Sequence, residues 1–455
     1  MLKDVAPVQT INSAGGSVVI LRFLVCALSS SLVVAANPAL AGDMPPPRTI
    51  PTAVTPSLAS DSVDAYMAQR RGAPVWFRAG GGAEAAATLA QILRRAPLDG
   101  LSSGPQLADT VDAAAQQAMT GNPQAIASAD RTLSAAWLAY VAALKAPLPD
   151  FTYSDPSLTL RVPNPVITLQ LASIAPTLAQ HLLAVSSVNP IYGPLRDTAW
   201  AALQRTPGAA PDPRLLINLA RARILPSTGR YVVVNAANAR LTMIENGQIA
   251  DSMKVVVGKN ESQTPMLAST IWYATLNPYW YVPMDLTKNI VAAKMLSPIA
   301  KPYWAEKRYE IMSDFGPTPT ILPPSAIDWK AVKAGSQTAY LRQLPGKGNA
   351  MGKIKFPFPN DIGVYLHDTD HLELMALNER HLSNGCIRLE DAQRLGRWLM
   401  GTLPATISPA PEQQVALPRG VPVFLTYITA QPKDGAVAFV ADVYGRDKGP
   451  ALASR

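Results

Sequence analysis

The chain has 455 residues, 48% of them hydrophobic and 16% charged, with a net charge of +8. That length is too great for one ordinary core, so at least two globular domains are expected. The positive balance suits polyanionic surroundings, but no Lys/Arg block with interleaved aromatics occurs, which argues against nucleic acid as a partner.

Residues 1–41 stand apart. Lys3 and Arg22 precede an apolar run over 23–36, and Ala39-Leu40-Ala41 supplies the small residues of a cleavage site. This reads as a secretory signal peptide, shorter in its apolar part than the ~20 residues of a membrane span. Export is expected, with an uncleaved N-terminus as the one route to membrane proximity. Residues 42–62, with Pro45-Pro46-Pro47, read as a flexible linker. Residues 63–222 read as a helical domain. Leu89, Ile92 and Leu93 recur at helical spacing, and Pro97-Leu98-Asp99-Gly100, Gly104-Pro105 and Pro147-Leu148-Pro149 punctuate the helices. No catalytic motif occurs there, and His181, between Gln180 and Leu182, reads as a structural histidine.

At Arg230 the pattern changes to strands. Tyr231-Val232-Val233-Val234 is one, and 240–245 and 248–257 flank Asn246-Gly247, the strongest two-residue hairpin signal. Strand character continues over 271–276, helices are expected at 284–296 and 390–402, and strands at 421–429 and 436–443.

Of the two cysteines, Cys26 lies in the signal-like run, which leaves Cys386 as the single thiol of a mature form. A lone thiol in an exported protein is either buried and inert or free and reactive. Cys386 sits in Ser383-Asn384-Gly385-Cys386-Ile387-Arg388-Leu389, nineteen positions after His367 in Tyr365-Leu366-His367-Asp368-Thr369. An adjacent imidazole can take the proton of a thiol and hold the thiolate as an ion pair. Gly385 permits a tight turn, and the Gly385 and Cys386 amides suit an oxyanion. Spacing alone leaves other readings open: a core cysteine with a satisfied histidine, or a metal site drawing on His367, Asp368, Asp370, His371 and His381. On a strand, however, His367 and His371 point one way and Asp368 the other, whereas zinc needs three or four convergent ligands.

The segment resembles the signature of L,D-transpeptidases with the YkuD-type catalytic domain: a His, then Ser/Thr-x-Gly-Cys, an apolar residue, and Arg or Asn. Val256-Val257-Gly258-Lys259, Gln263-Thr264-Pro265, Asn277-Pro278-Tyr279-Trp280-Tyr281-Val282-Pro283, Asn349-Ala350-Met351-Gly352 and Asp442-Val443-Tyr444-Gly445-Arg446-Asp447 are similar to other parts of that domain in its scaffold-bearing branch. The resemblance implies an α+β protein: an N-terminal helical scaffold domain followed by a mainly β YkuD-like catalytic domain over 223–447, with helical insertions, a capping subdomain at about 300–350, and a tail over 448–455. It implies Cys386 as nucleophile, His367 as general base, Asp368 orienting His367 through its backbone carbonyl, and Gly385 in the oxyanion hole. Ser383, Asn384, Arg388, Tyr365 and Trp280 would meet substrate, Arg388 being either a carboxylate ligand or a structural ion-pair partner. The substrates implied are peptidoglycan stem peptides, donor and acceptor, with no metal and no cofactor, in the periplasm. The product would be a 3→3 cross-link, or a 1→3 link by attack at L-Ala, and carbapenems would acylate the same thiol. A hydrolase with water as acceptor and a non-catalytic wall-binding protein are the alternatives. Two departures from the family pattern stand out. Asn384 occupies a position where many members have His, and the chain between Leu195 and Arg230 leaves no room for a peptidoglycan-binding module.

Overall fold

The computed structural model describes residues 56–71, 73–78, 82–403 and 409–448; the signal-like segment, most of the expected linker and nearly all of the tail lie outside them. The helical region begins earlier than composition suggests, because α1 (Pro56–Gln69) starts inside the stretch read as linker. Then follow α2 (Gly82–Arg95), α3 (Gly104–Ala118), α4 (Pro123–Leu144), α5 (Pro165–Ile174), α6 (Leu178–Ser187), α7 (Tyr192–Gln204) and α8 (Pro213–Arg223). Proline in the first turn opens α4, α5 and α8, where its missing N–H costs nothing. The Asn122, Asn164 and Asp212 side chains accept the free N–H groups behind it. Leu89, Leu93, Leu133, Trp137 and Leu182 share one core. Asp99, fully buried, accepts the Tyr140 hydroxyl at 3.0 Å and that of Tyr192, lies 3.6 Å from Arg196, and gives its carbonyl to Arg223 at 3.0 Å. That cluster ties α4, α7 and α8 together.

The strands, in chain order, are β1 (Thr152–Tyr153), β2 (Arg230–Asn235), β3 (Arg240–Glu245), β4 (Gln248–Gly258), β5 (Leu267–Leu276), β6 (Trp280–Val282), β7 (Tyr309–Met312), β8 (Ile321–Leu322), β9 (Tyr340–Gln343), β10 (Ile354–Phe356), β11 (Leu366–His367), β12 (His381–Ser383), β13 (Ile387–Leu389), β14 (Gln413–Thr426), β15 (Ala430–Lys433) and β16 (Ala436–Phe439). The main sheet runs β5-β10-β11-β13-β4-β3-β2-β14, and β14 pairs again with β5, so the sheet closes on itself. Its interior is filled by Val232, Val234, Val255, Val257, Ile271, Leu366, Ile387, Leu389 and Val423. Tyr231 and Val233 point outward and pack with Phe151, Ile224 and Phe424. β2 is thus buried on both faces, which is why its sequence is a continuous apolar run rather than an alternation. Asn246 and Gly247 both take positive φ, +53° and +75°, as a type I′ hairpin requires.

Two features cross the expected domain boundary. β1 leaves the helical region to pair with β5, and the β15–β16 hairpin returns to pack Ala430 and Phe439 on the helical core. The capping segment is a sheet of its own, ordered β6-β9-β7-β8 around Val282, Ile311 and Leu341. It begins with Trp280, ahead of the expected start near 300. The helix expected at 390–402 spans Ala392–Met400, and the one at 284–296 runs without a break through Met284–Leu286, the π-helical turn Thr287–Val291 and Ala292–Met295.

Candidate active site

β11 and β13 lie parallel and adjacent, with Leu366 opposite Ile387 and His367 opposite Arg388. Leu366, Ile387 and Leu389 point into the core. Strand alternation therefore puts His367 and Arg388 on the other face, with Tyr365 and Cys386 one step before them. Lys355 on β10 is in register with His367 and shares that face.

The turn before Cys386 is built from hydrogen bonds. Ser383 Oγ donates to the Cys386 carbonyl at 2.6 Å and accepts the Gly385 N–H at 3.1 Å. Gly385 has φ +114°, a conformation that favours glycine. Behind the turn, Thr264 Oγ1 donates to the Gly385 carbonyl at 2.8 Å and accepts the Gly258 N–H at 2.9 Å. A Cβ on Gly258 would stand 2.1 Å from the Ser262 carbonyl oxygen and 2.6 Å from the Thr264 nitrogen, so only glycine allows this approach. The Tyr444 hydroxyl donates to the Gly258 carbonyl and accepts the Thr264 N–H at 3.3 Å.

The Gly385 amide, expected to face an oxyanion, is thus already given to Ser383. The neighbouring Cys386 N–H makes no hydrogen bond among the described residues. Gly385 contributes its backbone shape instead of its donor.

His367 is only 2% exposed, and its Nδ1 lies 2.7 Å from the Asp368 carbonyl oxygen. A carbonyl can only accept, so Nδ1 carries the proton and Nε2 keeps the lone pair. The Tyr365 ring packs edge-on against the imidazole, centroids 5.8 Å apart. Burial, and after it the charge of Arg388, push the His367 pKa down to about 3. Burial also raises the Cys386 thiol, against the lowering effect of the Tyr365 N–H and hydroxyl and of Arg388. Burial thus favours the neutral form of each group, the thiol and the imidazole. It penalises both charges of a thiolate–imidazolium pair. In this state the thiol points toward the Gly363 carbonyl, 3.9 Å away.

Asp368 does more than lend its carbonyl. Its carboxylate accepts the Lys353 N–H at 2.8 Å, and a Cβ on Gly352, whose φ is +60°, would lie 2.5 Å from that carboxylate. The loop before β10 is pinned further by Asn349, whose amide donates to the carbonyls of Pro278, Gln343 and Leu344.

The other expected site residues divide. Asn384 is exposed on the turn, and Arg388 is half-buried on the reactive face. Trp280 is partly buried and packs against the core of the small sheet. The ligand-rich run does not converge: His371 meets Glu373 at 2.9 Å, whereas His381 meets Glu379 and the Ala236 carbonyl. Among the described residues no group of three His, Cys, Asp or Glu could hold a metal ion. Sequence reasoning gave no role to Thr264 or Tyr444, whose only signal was membership in the resembling motifs.

Residues 229–423 match the family model of the L,D-transpeptidase catalytic domain, YkuD, and residues 61–198 match that of the Scaffold domain. A protein named "Putative L,D-transpeptidase" from Haemophilus influenzae is 29% identical over 244 residues, 52% of this chain and 48% of that protein. The chain thus spans about half the length of the curated relative it matches. Among solved structures, an L,D-transpeptidase from Mycobacterium smegmatis overlays 43% of this chain and 58% of its own at 14% identity and TM-score 0.21. One from Enterococcus faecium overlays 45% and 51% at 14% identity and TM-score 0.22.

Proposed function

We propose that this chain, which carries a YkuD L,D-transpeptidase catalytic domain behind a Scaffold domain, cross-links peptidoglycan stem peptides through a thioester on Cys386. The observation that carries the reading is the tautomer of His367. Its Nδ1–H is committed to the Asp368 carbonyl, which leaves Nε2 as a base on the face it shares with Cys386.

Because burial favours the neutral form of both groups, proton transfer accompanies attack. His367 Nε2 takes the thiol proton as sulfur bonds to the donor carbonyl carbon. The Cys386 N–H is the available donor for the oxyanion. Collapse breaks the carbon–nitrogen bond, and the departing amine takes the proton from Nε2. The acceptor amine of a second stem then attacks the thioester, gives its proton to Nε2, and the thiol is restored. Attack at the diaminopimelate carbonyl expels D-Ala and gives a 3→3 link. Attack at L-Ala gives a 1→3 link as the close second. Tyr365 supports thiolate formation through its hydroxyl, and the exposed Asn384 stands where an incoming stem passes.

The reading carries further expectations. Residues 1–41 would direct export, so the protein would work in the periplasm on wall substrate and contribute to cell shape. Among the described residues no helix is long and apolar enough to cross a membrane. A carbapenem carbonyl would acylate Cys386 by the same attack.

The test is incubation of the purified protein with disaccharide-tetrapeptide and mass spectrometry of the products. Cross-linked dimer with free D-Ala is expected. Tripeptide without dimer would mean a hydrolase, loss of the fragment beyond L-Ala would mean the 1→3 linkage, and identical products from wild type and Cys386→Ala would refute the enzyme.

A further inference from the structure

Of the eight tryptophans, Trp272 alone is exposed, at 55%, and among the described residues its indole has neither a ring partner nor a hydrogen bond. The fold nevertheless holds it in place. Ile271 and Ala274, three positions apart on β5, both enter the core, so the alternation slips between them and keeps Trp272 and Tyr273 outside. On the paired strand Ala416 stands opposite Tyr273 and Val421 opposite Ile271, so residues 417–420 bulge opposite Trp272. Gly420 is the seat of the ring. A Cβ there would stand 2.5 Å from Trp272 Cζ3 and 2.7 Å from both Trp272 Cε3 and Thr270 Cγ2. The six-membered ring thus covers a stretch of backbone that glycine leaves bare.

The outer face of the sheet connects this ring with Cys386. Register carries one row from Arg388 through His367 and Lys355 to Thr275. Two positions along each chain lies a second row, Cys386, Tyr365, Pro357 and Tyr273. The residues that alternate with these, Ile387, Leu366, Phe356 and Ala274, are in the core. His367 and Thr275 of the first row are buried, whereas every member of the second is partly exposed, and Ala416 beyond it is exposed. An open track therefore starts at the nucleophile and ends at Tyr273 and Trp272. Three strand spacings, about 14 Å, separate its ends.

We infer that Trp272, with Tyr273 beside it, is a subsite for an N-acetylhexosamine ring of the glycan that bears the stem under attack. The inference rests on the acyl-transfer reading of Cys386 and adds the sugar to what the protein recognises. A pyranose presents an apolar C–H face bordered by hydroxyl and acetamido groups, and that face stacks on an indole. A ring already seated on Gly420 loses little freedom when a sugar covers it. The exposed Arg419, next to Gly420, supplies donors for the sugar oxygens. The span agrees as well. From the diaminopimelate carbonyl back to the sugar, three extended stem residues, one of them γ-linked, reach about 13 Å, whereas the single residue behind an L-Ala carbonyl reaches about 4 Å. The subsite therefore suits a donor attacked at diaminopimelate.

The test measures binding without turnover. The full chain carrying Cys386→Ala is titrated with disaccharide-tetrapeptide and with the same tetrapeptide lacking its sugars. The sugars should tighten binding roughly tenfold, the scale on which an aromatic anchor acts. Adding Trp272→Ala should bring the two affinities together, and Trp272→Phe should keep part of the gap. Equal affinities in the parent, the same gap in Trp272→Ala, or no binding of the disaccharide-tetrapeptide at millimolar concentration would overturn the inference. So would a dimer in sedimentation that Trp272→Ala dissolves, since the ring would then belong to a second copy of the chain. The wild-type product assay is separate. Cross-linking without a sugar-dependent gap removes the Trp272 subsite alone, whereas the gap without product removes the transferase reading and leaves the sugar site.

Discussion

His367 should resist protonation to a degree that a stability measurement detects. In an unfolded chain an imidazole titrates near 6.5, and in this fold its pKa is about 3, chiefly through burial and then through Arg388. The gap corresponds to about 5 kcal/mol in favour of the neutral form. Because the folded value is depressed, this contribution is fully present above pH 6.5. It is lost as pH falls, since the unfolded chain gains a proton that the folded chain refuses. By pH 4 about 3 kcal/mol should be gone from this residue alone. Other groups titrate over the same range, so the measurement is a difference: urea unfolding of wild type and of His367→Gln at pH 7, 5 and 4. The substituted protein should lose about 3 kcal/mol less between pH 7 and 4. NMR of the imidazole should show no midpoint between pH 5 and 8, and Arg388→Gln should raise the value only in part, because burial is the larger cause. A midpoint at or above 6.5, or parallel pH losses in the two proteins, would refute the neutral pair and restore the thiolate–imidazolium arrangement.

Three other substitutions probe the surroundings of Cys386. Thr264→Val keeps the shape and removes both hydroxyl bonds, which strands the Gly258 N–H and the Gly385 carbonyl in a fully buried spot. A loss of roughly 2–4 kcal/mol in denaturant titration is expected, most of it recovered by Thr264→Ser, and equal stability of Val and Ser variants would show that these bonds carry nothing. Gly385→Ala meets no atom closer than 3.6 Å, so its effect tests φ +114° alone: about 1–3 kcal/mol of strain and slower acylation of Cys386 by a carbapenem, with unchanged acylation as the contrary result. Tyr365→Phe keeps the ring on His367 but removes a hydroxyl that favours the thiolate, so the pH midpoint for alkylation of Cys386 by iodoacetamide should move up. An unmoved or lower midpoint would discard that hydroxyl.

The strands and the hairpin of the catalytic domain were legible because their signals are local. Asn246-Gly247 needs positive φ at both residues, and Tyr231-Val232-Val233-Val234 has no polar face to expose. The placing of His367 and Cys386 on one face was legible only through resemblance, because register between β11 and β13 is set by Leu366 and Ile387 entering a shared core from separate segments. The pull of burial on both groups was equally hidden. No residue near either group in sequence announces that His367 is 2% exposed. The placement of Trp280 on a separate small sheet was likewise not legible, because β6 pairs with β9 some sixty residues on. The start of α1 was hidden by a Pro- and Ser-containing stretch, in which Pro56 opens a helix instead of breaking one.

The nucleophile turn depends on chain that comes last. Thr264 holds Gly385, and Thr264 is itself held by the Tyr444 hydroxyl, while Arg446 donates to Gln263 Oε1 at 2.8 and 3.1 Å. The Arg446 N–H donates to Asp442, the Tyr444 N–H donates to the Tyr427 hydroxyl, which itself donates to Asp442, and the Asp447 N–H donates to Asp442 as well. The Asp447 carboxylate accepts from Arg221 and Asn218 on α8 and from Thr429 at the end of the main sheet. Each link is at least half-buried, so removing one partner leaves another polar group unsatisfied rather than returned to water. A reacting sulfur must be held to within about 1 Å of its productive position, since misplacement on that scale costs on the order of a hundredfold in rate. A three-residue loop bent at a single glycine cannot supply that rigidity alone. The closed sheet supplies it in front through β11 and β13, and α8 with residues 442–448 supplies it from behind. Residues of α8, between the two matched regions, and residues 442–448, beyond the second, are therefore part of the machinery that positions Cys386.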